Sequence, residues 1–222
     1  MSLRAALCVA ACVAVSGPAL ADGFADAMAA LRAGDTGTGA ALFAGLAAAG
    51  DGDAMYNLSL LYLQGIGVPQ NREEAVYWAW RARLVAVPRA PALIALASEG
   101  LSRESLAALH LRLMAEERAV ADTTAPASFV RLALVEQGLA AKPDQVQVYT
   151  WYSLAAAMGH PGAEGARDAA FARLKPKEAL TAEAHAMAAF GVWCAAVGAD
   201  SPRVCTVLAA RSAPEEQAES EG

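Results

Sequence analysis

The sequence predicts an all-α chain, an α-solenoid of successive helix-turn-helix units. Three observations predict it. Almost no stretch alternates apolar and polar residues as a half-buried strand would. The segments are rich in Ala and Leu at helical spacing, with Gly, Pro, Asn or Asp between them. The chain also repeats itself. "MYNLSLLYLQGIGVPQNREEAVYWAWRA" (55–82) aligns without a gap on "SFVRLALVEQGLAAKPDQVQVYTWYSLA" (128–155). Gly65 falls on Gly138, Asn71 on Asp144, Trp78 on Trp151 and Ala82 on Ala155, at an offset of 73 residues. That offset is about two units of a helical repeat some ~35 residues long.

Residues 1–21 read as a secretory signal peptide. Arg4 precedes an uncharged apolar run, Ser16-Gly17-Pro18 breaks it, and Ala19-Leu20-Ala21 offers small residues for cleavage before Asp22. The run is too short to span a bilayer, and no transmembrane segment is expected in the mature chain. Cys12 loosely resembles a lipidation site, but the apolar run continues past it.

Residues 22–52 form an N-terminal half-repeat, two short helices broken at Gly34 and Gly50. Residues 53–85 are the first full unit. A worn middle unit occupies 86–122: Leu93 stands where Leu58 does, Gly100 where Gly65 does, and Ser102 is the next N-cap. Residues 123–158 are the second clear copy. Two closing helices fill 159–211, one starting at Pro176. The segment 212–222, "SAPEEQAESEG", is polar and acidic and reads as a disordered tail.

The loop "GIGVPQNREE" poses a choice between a ligand cradle and a corner. Gly65 and Gly67 can take the positive φ that ends a helix. Pro69 blocks helix continuation. Asn71 can cap the next helix with Glu74 at N3, and Asp144 with Gln147 does the same in the second copy. Every residue serves a corner. A phosphate loop needs a third glycine and a preceding strand, and both are missing; the same holds for "GDTGTG" (34–39).

Trp78 and Trp151 each lie on a stripe with small residues (Ala75 and Ala82, Val148 and Ala155). Large residues against small ones let paired helices approach, so both are read as core.

These residues resemble the Sel1-like repeat family, relatives of the tetratricopeptide repeats. Leu58, Tyr62, Gly65, Gly67, Val68, Ala75, Trp78 and Ala82 match that family's unit, with Asn71 in place of its Asp. The second copy keeps Gly138, Asp144, Trp151, Tyr152, Ala155 and Ala156, but has Val135 and Ala140 where the family has Tyr and Gly. The resemblance covers about half the mature chain. It implies a solenoid whose first helices line a concave, protein-binding surface. On that geometry Asp53, Tyr56, Leu60 and Leu63 share the concave side of the first unit. Pro126, Phe129, Ala133 and Glu136 fill the matching places in the second. The partner-binding residues expected are Tyr56, Leu60, Leu63 and Phe129, unless the middle unit or the N-terminal helices cover them. A second stripe, Tyr77, Trp80 and Leu84, either packs on the middle unit or offers another partner site.

No catalytic constellation is present: no HExxH, CxxC, GxSxG, P-loop or SxxK motif. His110, His160 and His185 lie far apart without ligand spacing, and Glu73-Glu74 and Glu116-Glu117 read as helix-surface or capping pairs. The expectation is a binding protein, not an enzyme, with no cofactor, no metal and no catalytic residue. Some relatives with a disulfide in each repeat act on cell-wall-type ligands; this chain lacks those cysteines, which weakens an envelope-enzyme or sugar-binding alternative. A formal net charge of −6 argues against a nucleic-acid partner.

Cys194 and Cys205 are the cysteines left after signal cleavage. Cys194 lies before Gly198, which can end a helix, and Cys205 after Ser201-Pro202, which can start one. A hairpin with that turn can bring the sulfurs together, the alternative being two buried thiols. The reading is therefore a periplasmic monomer that binds a protein or peptide of the cell envelope.

Overall fold

A computed structural model describes residues 18–121, 125–197 and 205. Residues 1–17 of the expected signal peptide, the segment 212–222 and the Gly198–Pro202 turn lie outside the described residues. Among the described residues the chain is all-α, with ten helices and no strand. It divides into two compact units, 1–100 and 101–222.

The first unit stacks helices in chain order. α1 (Pro18–Arg32) packs on α2 (Thr36–Ala48), α2 on α3 (Gly52–Gln64), α3 on α4 (Arg72–Leu84) and α4 on α5 (Ala90–Ser98). The breaks expected at Gly34 and Gly50 are real turns, with φ of 84° and 97°. Phe43, Met55 and Leu58 fill the core among fully buried alanines, Ala27, Ala40, Ala54, Ala82 and Ala90. Phe24 meets Phe43 edge-to-face at 5.2 Å. The small residues set how near the helices come. A Cβ on Gly39 would collide with Leu31. Ser59 is wholly buried and donates its hydroxyl to the Ala75 carbonyl of α4 at 2.6 Å.

The loop 65–71 is a corner. Gly65 caps α3 in the left-handed region at φ 72°, and its N–H donates to the Leu61 carbonyl. Gly67, at φ 71°, lies so close to α2 that a Cβ there would strike the Thr36 carbonyl. The Asn71 N–H donates to the Tyr62 carbonyl at 2.9 Å, and its side chain accepts from the Glu74 N–H at 3.1 Å.

α4 ends differently. Ala86 adopts φ 64°, in the region that favours glycine. The Val87 N–H reaches back to the Ala82 carbonyl and the Ala86 N–H to that of Arg83, the bond pattern of a glycine-type helix cap.

The second unit holds α6 (Arg103–Ala119), α7 (Pro126–Leu139), α8 (Gln145–Ala157), α9 (Ala163–Phe171) and α10 (Pro176–Val197). α6 packs on α7, α7 on α8, and α8 on both α9 and α10. Ser102 caps α6 by accepting from the Ser105 N–H, as expected. The two helices of the segment 86–122 belong to different compact units.

Three features of the second unit depart from what the first unit and the sequence suggest. Gly138 does not end its helix as Gly65 does: it lies inside α7, which runs on to Leu139. Glu117 is not a surface residue. Its side chain is 5% exposed and accepts from Arg131 Nε at 2.7 Å, so α6 and α7 are joined by an ion pair whose carboxylate is buried and whose guanidinium is half-buried. Finally, α10 meets the length and apolarity of a bilayer-spanning helix, where none was expected after residue 21. Its alanines raise the hydropathy; in this fold Phe190 and Trp193 anchor it beside Leu154 of α8.

Cys194 and Cys205 are disulfide-bonded, with Cα atoms 5.5 Å apart. Cys205 is buried beside Leu154, Phe190 and Trp193. Closing so short a loop restricts the unfolded chain by about 2–3 kcal/mol.

Candidate functional site

Asp53, Tyr56, Leu60 and Leu63 lie along α3, three or four residues apart. Asp53 is exposed, and Tyr56, Leu60 and Leu63 are half-buried. The face is partly dressed by Arg89, from the α4–α5 connection. Its guanidinium lies 4.3 Å from the Tyr56 ring centroid and donates to Asp53 Oδ1 at 2.7 Å. Arg89 was not singled out by the sequence, because nothing local links residue 89 to residue 53. Tyr56 therefore presents an aromatic face already paired with a cation, while Leu60 and Leu63 remain as the apolar part of the stripe.

In the second unit the matching positions are used otherwise. Ala133 is fully buried. Glu136 meets His110 Nε2 at 2.9 Å and accepts from the Asp144 N–H at 2.9 Å. Phe129 is half-buried and packs against the cluster of Leu154, Phe190, Trp193 and Cys205. It also lines an open apolar cavity of about 340 Å³ between α7, α8 and α10, with Trp151, Leu154, Val192 and Trp193 among the other walls. Trp193 is 8% exposed, and its indole N–H is buried without a hydrogen-bond partner among the described residues. An open cavity with apolar and aromatic walls suits a ligand that brings a bulky apolar group. The sequence pointed to Phe129 and to Trp151. It could not point to Trp193, which reaches this place through the packing of α10 on α8.

The alternative stripe, Tyr77, Trp80 and Leu84, is buried, at 7%, 4% and 8% exposure. It belongs to α4, which packs on α5 as well as α3. Trp78 is half-buried against the first-unit core, and Trp151 is buried.

A second cavity, of about 470 Å³, opens at the start of α8 and α10 and is lined by Lys142, Asp144, Gln145, Arg173, Lys175 and Glu178. The Lys175 N–H donates to Glu178 Oε2 at 3.0 Å. That bond, helped by the charges of Lys175 and Lys142, holds the Glu178 carboxyl below its ordinary value.

His160 donates from its ring to the Pro161 carbonyl in a turn, and His185 is exposed on α10. Among the described residues no three His, Cys, Asp or Glu side chains are grouped as a metal site would need.

The Sel1 repeat model matches residues 52–82 and 130–160, the first and second copies found in the sequence. No curated protein sequence matches the chain. Among solved structures, one similar chain is a protective antigen of uropathogenic Escherichia coli described as displaying an SLR fold, at 18% identity and a TM-score of 0.34. The match covers 83% of this chain and 45% of that one, so this chain spans under half of its length.

Proposed function

We propose that this chain, which carries two Sel1 repeats, is an exported scaffold that binds a protein or peptide in the cell envelope and catalyses no reaction. The observation that carries this reading is the cavity beside Phe129. Its walls are apolar and aromatic, and a peptide offers the complement in an apolar side chain. Tyr56, Leu60 and Leu63 supply a second contact face on α3. Export is supported by the bond between Cys194 and Cys205, since disulfides persist in oxidising compartments. A catalytic reading would need convergent titratable groups in the cavity; its walls are apolar apart from Gln147 and Thr150.

The test is an in-cell crosslink and pull-down of the tagged protein, read by mass spectrometry. Wild type is run beside Phe129→Asp and beside Tyr56→Ala/Leu60→Asp, each confirmed folded by circular dichroism. The expected result is a partner captured by wild type and lost in Phe129→Asp. A partner retained by both variants would remove both faces from the binding site. No partner in any sample would end the scaffold reading.

A further inference from the structure

Lys142, Lys175 and Lys177 are the only lysines of the chain. Two of them line the cavity at the start of α8 and α10, together with Arg173. The carboxylates beside them are already committed. Asp144 caps α8 by accepting from the Gln147 N–H at 3.0 Å. Glu178 accepts from the Lys175 N–H and lies 3.5 Å from Lys175 Nζ. A chain of net charge −6 thus sets two of its three lysines and Arg173 at one open cavity, where Lys142 and Arg173 form no ion pair among the described residues.

The complement lies in the same chain. Residues 212–222, "SAPEEQAESEG", carry Glu215, Glu216, Glu219 and Glu221 and no cation. Their reach is set by the disulfide, which holds Cys205 beside Cys194 near the far end of α10, Cα to Cα 5.5 Å. The helical stretch from Glu178 to Cys194 rises about 24 Å. Beyond the closing helix that the sequence predicts up to residue 211, the ten residues to Glu221 span up to about 35 Å when extended. The acidic segment can therefore return along α10 to the cavity. Tethering gives it a high effective concentration there, and an arginine with neighbouring lysines is the set that carboxylates favour.

We propose that this cavity is a carboxylate-binding site and that its occupant is the glutamate-rich segment 215–221 of the same chain. Arg173 and Lys142 pair with the glutamates, and Lys175 adds charge at the rim. The contact is electrostatic and weakens with salt.

Zero-length carbodiimide coupling tests this on the whole exported protein, since it joins a carboxylate to an amine only where they touch. Lys175 and Glu178 provide a built-in positive control. The expected result is coupling of Lys142 or Lys175 to Glu215, Glu216, Glu219 or Glu221. In a mixture of ¹⁴N- and ¹⁵N-labelled protein, the coupled peptides stay isotopically unmixed. Yield falls at least fivefold in 0.5 M salt, and equally in Arg173→Glu and in the milder Arg173→Gln, while the control coupling persists. Control coupling without any segment coupling would overturn the proposal. Isotopically mixed peptides would overturn the intramolecular occupant and make the site one for an acidic segment in trans. Undiminished coupling in both Arg173 variants would remove the cavity from the contact.

Discussion

The two matched repeats, 52–82 and 130–160, share a motif and differ in what each position does. In the first, Leu58 is buried in an apolar core; its counterpart Arg131 is half-buried and paired with Glu117. In the first, Gly65 ends the helix in the left-handed region; its counterpart Gly138 is one more helical residue. In the first, the Asn71 N–H is held by a backbone carbonyl; its counterpart, the Asp144 N–H, is held by the Glu136 carboxylate. A repeat motif therefore specifies a corner and a helix crossing, and leaves open whether apolar burial or charge pairing holds them.

The largest effect should come from breaking the second repeat's ion pair. Arg131→Leu makes that position like the first repeat but strands Glu117, which is 5% exposed. We expect a loss of about 2–4 kcal/mol in urea unfolding, at or below the buried-pair range because Arg131 is partly solvated. Glu117→Leu/Arg131→Leu should recover most of it. An equal loss in both variants would show that packing, not the unpaired charge, is responsible.

Next comes the corner. Gly67→Ala forces a Cβ onto the Thr36 carbonyl at φ 71° and should cost about 2–3 kcal/mol. The glycines at the aligned position should respond with opposite signs. Gly65→Ala should destabilise by about 1 kcal/mol, whereas Gly138→Ala, exposed within α7, should stabilise by about 0.5–1 kcal/mol. Thermal melts that moved in the same direction would refute the difference in backbone conformation. Ala86→Gly should raise stability by about 1 kcal/mol, because it relieves a left-handed alanine.

The smallest effect is a pH dependence. The folded Glu178 carboxyl titrates below its ordinary value of 4.5, chiefly because the Lys175 N–H donates to it. The sign follows: its contribution is present above pH 4.5 and is lost as pH falls through the lower, folded value. Glu178→Gln should flatten the acid limb of stability against pH. An unchanged acid limb would show that this bond is not maintained in solution.

The sequence made the all-α class legible through periodicity and caps. Asn71, Ser102 and Asp144 cap helices as their neighbours predict, because capping is decided within four residues. Pro176 and the glycines at 34, 50, 65 and 67 are local signals of the same kind. Phe129 and the α3 stripe came from helical spacing and from the resemblance. What escaped depends on distant partners. Arg89 covers Tyr56 from 33 residues away, Glu117 is buried only because Arg131 faces it, and Trp193 joins Phe129 through α10. Spacing along one helix records which side chains share a face. It does not record which other helix supplies the charge or ring that meets them.

The distribution of lysines also has a practical consequence. A sensor chip or resin that captures ε-amino groups will hold every copy of this protein by the start of α8 and α10. Molecules attached that way share one orientation and have that cavity blocked. Attachment through an engineered cysteine on the outer face of α2 would leave the cavity open. The two immobilisations would then report different binding surfaces of one protein.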